Sequence, residues 1–452
     1  MLVLYLFLKT ERTERRFELI DVVIIDPSST EFNRGSFCYL PYLLYSALKE
    51  EKLKVEFFED FNVSQIDFLP EAQNYLVSLW SCPQIDSCVV LNRFLPFGKK
   101  YFFGYYPLIE YFKFPCLVVP DNLILEGMKS YYKMYSSFRT ILLSDCDMHL
   151  KEYNGQVYPL FTSYGCNRSC SFCPTSINCS RKILSLDREE IKKILNFCND
   201  VGVRNIHFTD EDFFYNIDRT YDILKSVEFK EMNFIALGNA DKVLRFIGKY
   251  GQEIFLNSGL RLIEVGFETG SSELAKSMNK PNFSKCKELA EKIDKSLVKL
   301  FWLTMTFFPG ETLQTIKETS DFLRKYGYEI EELYGRIATN STIGGLGQFF
   351  QPYHGTKDYE ILRDKGIFIS DRPIRLVPSF LPNTFLDDFV EQKRKITTDD
   401  IKWFDLYNFR TDIELLNNTV RENIDNIVKN RKDINIGQAA TYLAICSRLG
   451  II

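Results

Sequence analysis

The sequence predicts an α/β fold in three parts: an open, mostly parallel sheet over residues 1–150, a half-open (β/α) barrel over 155–370 and a helical segment over 371–452. Three observations carry that prediction. Short apolar runs alternate with helical patterns through the first two parts, as strands joined by crossover helices do. The second part holds about six strand–helix units in succession. Several of its strands run into polar or glycine-bearing stretches at their carboxyl ends, where barrels of this kind bind ligands.

In order, Val22–Ile25 reads as a buried strand ending at Asp26-Pro27, Leu40–Lys52 as an amphipathic helix and Lys54–Phe58 as a second strand. Tyr75–Leu79, Lys100–Gly104 and Pro115–Val119 add strands. In the second part, strand Val157–Thr162 leads into a cysteine-rich loop. Helix Asp187–Asn199, strand Asn205–Phe208, helix Asp218–Ser226, strand Asn233–Leu237 and helix Asp241–Tyr250 follow. Strand Leu262–Phe267, a helix near Phe283–Lys295, strand Lys299–Thr306, helix Glu311–Tyr326 and a strand near Leu333–Ala338 complete it. The third part carries helical patterns at Asp399–Tyr407, Thr411–Val428 and Ile436–Leu449. The flexible loop is expected at Gly344–Gly347.

A chain of 452 residues has room for two or three domains. Hydrophobic residues make up 45% and charged residues 26%, the balance of a globular protein. A net charge of −4 without a long basic run argues against a nucleic-acid partner. The apolar start Met1–Leu8 is too short to cross a bilayer, and no other apolar run reaches about 18 residues, so no membrane span is expected. The twelve cysteines are too few for a disulfide scaffold, and most are scattered. That pattern fits thiols in a reducing cytoplasm.

Three cysteines are not scattered: Cys166-x-x-x-Cys170-x-x-Cys173. Three thiolates on one loop can hold three irons of a cubane [4Fe–4S] cluster and leave the fourth iron open. Zinc is the competing reading, with Cys179 as a fourth ligand. Zinc motifs tend to pair two knuckles, and no second Cys-x-x-Cys follows.

The run Tyr164–Pro174, with Phe172 before the last cysteine, resembles the signature loop of the radical S-adenosylmethionine (SAM) enzymes. That resemblance implies a [4Fe–4S] cluster on Cys166, Cys170 and Cys173, with SAM on the open iron. It also implies reductive cleavage of SAM to a 5′-deoxyadenosyl radical that activates a C–H bond. Asp210-Glu211 resembles an acidic patch after the second barrel strand that contacts the SAM ammonium. Glu268, in Gly266-Phe-Glu-Thr269-Gly270, resembles the position that meets the SAM ribose, and the two glycines would let backbone approach the cofactor. Phe172, Asp210, Glu211, Gly266, Glu268 and Thr269 are therefore the implied SAM pocket. Pro309–Thr312 matches a turn of the same branch, and Ser271 and Thr312 are candidate helix caps.

The first part resembles, by its order of elements and by Pro41–Val55, the cobalamin-binding type of domain that precedes many radical SAM cores. The implied architecture is a Rossmann-like N-terminal domain, a partial (β/α)6 TIM-type barrel and a helical C-terminal segment. The chain departs from the cobalt-ligating Asp-x-His-x-x-Gly loop. Its nearest echo, Asp147-Met-His149, has Glu152 in place of glycine and reads as a linker. Cobalamin without a protein ligand to cobalt stays open. So do three outcomes: cobalamin-dependent methyl transfer, epimerase-like or oxidative chemistry, and a non-catalytic iron–sulfur protein. The substrate implied is a small molecule or peptide, with a flavodoxin or ferredoxin as reducing partner. His354 reads as a loop histidine and Cys179 as a loop thiol or hydrogen-atom donor.

Overall fold

The computed structural model describes residues 20–27, 39–80, 84–95, 98–134, 157–226, 232–280, 283–306, 308, 313–326, 348–349 and 353–364. The elements in chain order begin with β1 (Ile20–Pro27), α1 (Leu40–Glu50), β2 (Val55–Phe61), β3 (Ala72–Leu79), α2 (Gln84–Phe94) and β4 (Lys99–Gly104). Next come α3 (Tyr106–Tyr111), α4 (Asp121–Ser130), β5 (Val157–Leu160), β6 (Ser163–Tyr164), α5 (Pro174–Asn178), β7 (Leu184–Ser185) and α6 (Arg188–Asp200). Then follow β8 (Asn205–Phe208), α7 (Ile217–Ser226), β9 (Asn233–Gly238), α8 (Ala240–Tyr250), α9 (Glu253–Ser258), β10 (Leu260–Glu268) and α10 (Ser272–Ser277). The series closes with α11 (Phe283–Lys292), β11 (Lys299–Thr306), α12 (Leu313–Tyr326), β12 (Gln348–Phe349) and α13 (Lys357–Asp364).

Contacts divide the chain into two compact units. One gathers Met1–Ile141, Phe161–Asn167 and Asn178–Cys198, the other Leu142–Leu160, Arg168–Ile177 and Asn199–Ile452. The cysteine run passes from the first to the second between Asn167 and Arg168.

In the first unit four parallel strands take the order β2–β1–β3–β4. A parallel strand covered on both faces reads as a continuous apolar run, and Val22 to Ile25 are fully buried. Helix α1 starts with proline in its first turn, where the missing N–H forfeits no bond, and buries Leu40, Leu43, Leu44 and Leu48. The sheet's winding reverses between β1 and β3, the place where open sheets of this type leave a crevice. Residues 115–119, expected to form a strand, make a single bridge between Phe102 and Cys116. Pro115 accepts from Phe102 and Leu117 donates back to it, but Pro115 has no N–H with which to extend a ladder.

In the second unit six parallel strands lie in the order β12–β11–β10–β9–β8–β5. Strict sequential order is what repeated β–α units with one crossover hand produce. One face is covered by aromatic side chains from the helices. Phe267 stacks on Phe322 of α12 with centroids 4.1 Å apart, and Phe246 of α8 stacks on Phe255 of α9 at 5.3 Å. The opposite face of β10 carries Glu264 and Gly266, by alternation with Ile263, Val265 and Phe267. The sixth described strand is Gln348–Phe349. The strand expected near 333–338, the glycine loop at 344–347, the Pro309–Thr312 turn, His149, and the C-terminal helices lie outside the described residues.

Candidate active site

The site is built at the carboxyl ends of the second unit's strands. Its first part is the turn after β10. The ladder to β11 shifts register between Gly266 and Glu268, and Glu268 has a left-handed backbone at φ +65°. A non-glycine residue in that region is strained unless its surroundings fix it. Here the fixing partner is Lys280, whose Nζ pairs with Glu268 Oε1. Both are largely withdrawn from water, with side chains 7% and 14% exposed. Burial pulls the Lys280 ammonium toward neutrality, but Glu268 and Cys170 more than offset it and hold it charged.

The two glycines of this turn serve the chain itself. A Cβ on Gly266 would lie 2.5 Å from Lys280 Nζ, so the missing side chain makes room for the ammonium. A Cβ on Gly270 would meet the backbone of Glu318 at 2.5 Å. Gly270 N donates to Thr319 Oγ1 at 2.8 Å. Thr269, fully buried, spends its hydroxyl on Thr319 and on the N–H of Ser271. The hydroxyl thus builds the turn at the end of β10. Ser271 precedes α10 but makes no side-chain capping bond, contrary to expectation.

The second part is the cysteine loop. Within this unit, Ser169 to Phe172 rest on Met278 to Lys280. Asn279 Nδ2 donates to Ser169 O at 2.7 Å and to its Oγ at 2.8 Å, and Ser171 N donates to Met278 O at 3.0 Å. Phe172 packs on a cluster of Leu274, Met278, Met305 and Phe308, meeting the Phe308 ring edge-on at 6.4 Å. Lys280 Nζ stands 5.9 Å from the Phe172 ring centroid. Burial raises the Cys170 thiol; Lys280 is the leading group that opposes the rise, and Glu268 adds to it. Cys166 and Cys173 are half-buried, as is Cys179.

The third part lies after β8 and β9. Asp210 is buried and Glu211 half-buried, so the acidic pair sits at the strand end as its position in the sequence requires. Neighbouring Asp212 is the more telling side chain. It is 3% exposed, accepts from Asn239 Nδ2 at 2.8 Å through Oδ2, and leaves Oδ1 buried with no hydrogen bond. Burial raises its pKa, against the opposing pull of Asn239, Lys242 and Arg168. Arg168, in the cysteine loop, pairs with Asp241. Deeper on the same sheet His207 Nε2 lies 3.4 Å from Glu264 Oε2, on the face that carries Gly266. His354 packs edge-on against Tyr359 at 4.8 Å.

The donor set was tested against the expected cluster. Among the described residues no group of three or more His, Cys, Asp or Glu side chains is gathered as a single metal ion requires. Tetrahedral zinc would draw its thiolates to about 3.8 Å from one another. A cubane instead gives each thiolate its own iron, so the sulfurs need not converge on one point. A seated loop with a buried cation beside Cys170 fits a group that bears negative charge.

Lys280, Asn279, Asp212 and Glu264 were not anticipated from the sequence. The alternation of β10 is the one available signal, since it puts Glu264 and Gly266 on one face.

Residues 160–323 match the model of the radical SAM superfamily. No curated protein matches the chain. Among solved structures, the chain is similar to the radical SAM methyltransferase TsrM from Kitasatospora setae, determined with its tryptophan substrate and a SAM analogue. The identity is 12%, over 71% of this chain and 77% of that one, with a TM-score of 0.50. A second structure of TsrM, with cobalamin and a [4Fe–4S] cluster, gives 13% identity over 71% and 76%, with the same TM-score. The cobalamin-dependent enzyme OxsB, with aqua-cobalamin, gives 14% identity over 99% and 84%, with a TM-score of 0.49.

Proposed function

We propose that the chain, whose residues 160–323 match the radical SAM superfamily, cleaves SAM reductively to activate a C–H bond of a small-molecule or peptide substrate. The observation that carries the reading is the seating of Ser169–Phe172 on Met278–Lys280, which brings the cysteine loop beside the Glu268 turn. In this reading Cys166, Cys170 and Cys173 hold the [4Fe–4S] cluster. When bound, that cluster supplies the electron that breaks a C–S bond of SAM.

The chain's own residues then have defined tasks. Glu268, held by Lys280 through Oε1, keeps Oε2 for a ribose hydroxyl. Asp210 and Glu211 supply negative charge for the SAM ammonium, a charge-assisted contact. Phe172 closes the apolar side of the loop against Phe308 and keeps water from it. A low-potential donor such as a flavodoxin or ferredoxin and a reducing cytoplasm belong to the same reading. Among the described residues no helix is long and apolar enough to cross a membrane.

Methyl transfer through cobalamin is the second reading, favoured by the 2–1–3–4 strand order of the first unit and by the likeness in fold of the chain to TsrM. No histidine precedes His149, so this region has no imidazole to offer cobalt, and no step is assigned to that cofactor. The deciding experiment is anaerobic reconstitution followed by dithionite and SAM, with and without added cobalamin. The reading predicts 5′-deoxyadenosine without cobalamin. Retained corrinoid together with methylated product would move methyl transfer to the front. A protein that binds the cluster but never consumes SAM would refute both.

A further inference from the structure

The proposed chemistry uses the positive charge of Lys280 only to hold Glu268. Its environment is unusual for a lysine. The side chain is almost wholly buried, it pairs with Glu268 among the described residues, and Gly266 is bare where Nζ sits. Lysine is seldom buried without a reason, because withdrawing an ammonium from water is expensive. The residue before it, Asn279, has a left-handed backbone at φ +52° and spends its side chain on Ser169 of the cysteine loop. The turn therefore does two things at once. It anchors the loop through Asn279 and Met278, and it points a cation at the Phe172 face two residues from Cys170.

We propose that Lys280 sets the reduction potential of the cluster carried by the cysteine loop, with Glu268 as the counter-charge that trims its effect. The inference rests on the functional reading above. Reduction of the cluster takes one electron from an external low-potential donor and no proton, so the loop gains one full negative charge. A fixed ammonium at short range in a buried setting stabilises that added charge, and a carboxylate opposes it. Lys280 Nζ stands over the ring of Phe172, two residues from Cys170, so its charge lies beside the loop that takes up the electron. Arg168 is a second cation acting on Cys170 and stays in place in every variant below.

The test is a potentiometric titration of reconstituted full-length protein, read by the electron paramagnetic resonance signal of the reduced cluster. Lys280→Met lowers the midpoint, with a roughly tenfold or larger fall in the reduction equilibrium. Lys280→Arg keeps the wild-type value. Glu268→Gln raises the midpoint, and the double variant Lys280→Met/Glu268→Gln returns toward wild type. If Lys280→Met alone fails to hold a cluster, the upward shift of Glu268→Gln and its reversal in the double variant still decide the matter. Unmoved midpoints, or shifts of the same sign in Lys280→Met and Glu268→Gln, overturn the inference alone. A wild-type protein that assembles no [4Fe–4S] cluster overturns the functional reading and this inference with it.

Discussion

The two parallel sheets finish their carboxyl ends in opposite ways. In the first unit the β1 carboxylate, Asp26, is 3% exposed and is used up by the chain. Ser78, the Trp80 indole at 3.3 Å and the Gln84 amide at 3.1 Å all donate to its Oδ1. Gln84 also donates to Pro27 O at 2.8 Å and accepts from Trp80 N at 2.9 Å, so the carboxyl ends of β1 and β3 are tied to one another. In the second unit the strand ends keep charge in hand: Glu268 with Lys280, Asp241 with Arg168, and Asp212 with an oxygen that meets nothing. A polar end whose groups satisfy one another stabilises a fold. One that sets buried ion pairs and an unsatisfied carboxylate oxygen beside a thiol loop has the features of a functional site.

Breaking the second end has the largest expected effect. Cys170→Ala or Cys173→Ala removes a thiolate for which no neighbour substitutes, and 5′-deoxyadenosine formation falls at least about a hundredfold. Iron content and chromatography of the reaction check it. The first end responds differently. Asp26→Ala removes the acceptor shared by Ser78, Trp80 and Gln84, of which Gln84 keeps Pro27 O, and lowers stability by about 3 kcal/mol, measured by urea unfolding. SAM cleavage per folded molecule stays at the wild-type level, because Asp26 has no part in the proposed chemistry. Equal losses of cleavage from Asp26→Ala and Cys170→Ala would erase the contrast between the two ends.

A smaller effect sharpens the comparison through pH. The Asp212 carboxyl is raised by burial in the folded protein, so the folded state binds its proton more tightly than the unfolded chain does. Its contribution to stability is present below the unfolded carboxylate value of about 3.9 and is lost as pH rises through the folded value. Asp212→Asn therefore raises the melting temperature near neutral pH, and the gain shrinks as pH falls toward about 4. A gain that is constant with pH would mean that the buried charge is not its source.

Much of the fold is legible in the sequence because parallel buried strands announce themselves as apolar runs. Strands Asn205–Phe208 and Lys299–Thr306 fall where their apolar runs place them. The cysteine loop, the acidic pair and Glu268 are legible for a different reason, since each is a local motif at a strand end. What escapes is non-local or weakly patterned. Lys280 looks like an ordinary helix-end cation, and its meaning comes from Glu268 twelve residues away and from a turn whose Asn279 grips Ser169 at a separation of 110 residues. That Lys280 fills the space beside Gly266 is equally hidden, because no sequence rule says which side chain meets a glycine. The scattered thiols follow the simplest rule: burial pushes Cys198 and Cys286 up to about 12, so neither is a nucleophile at neutral pH.

The most direct test of the central claim is the electron paramagnetic resonance spectrum of the anaerobically reconstituted, dithionite-reduced protein before and after SAM is added. An open fourth iron predicts a reduced [4Fe–4S] signal whose g-values shift when SAM binds, in wild type and not in Cys170→Ala. A reduced cluster signal that SAM leaves unchanged in the wild-type protein would contradict the account.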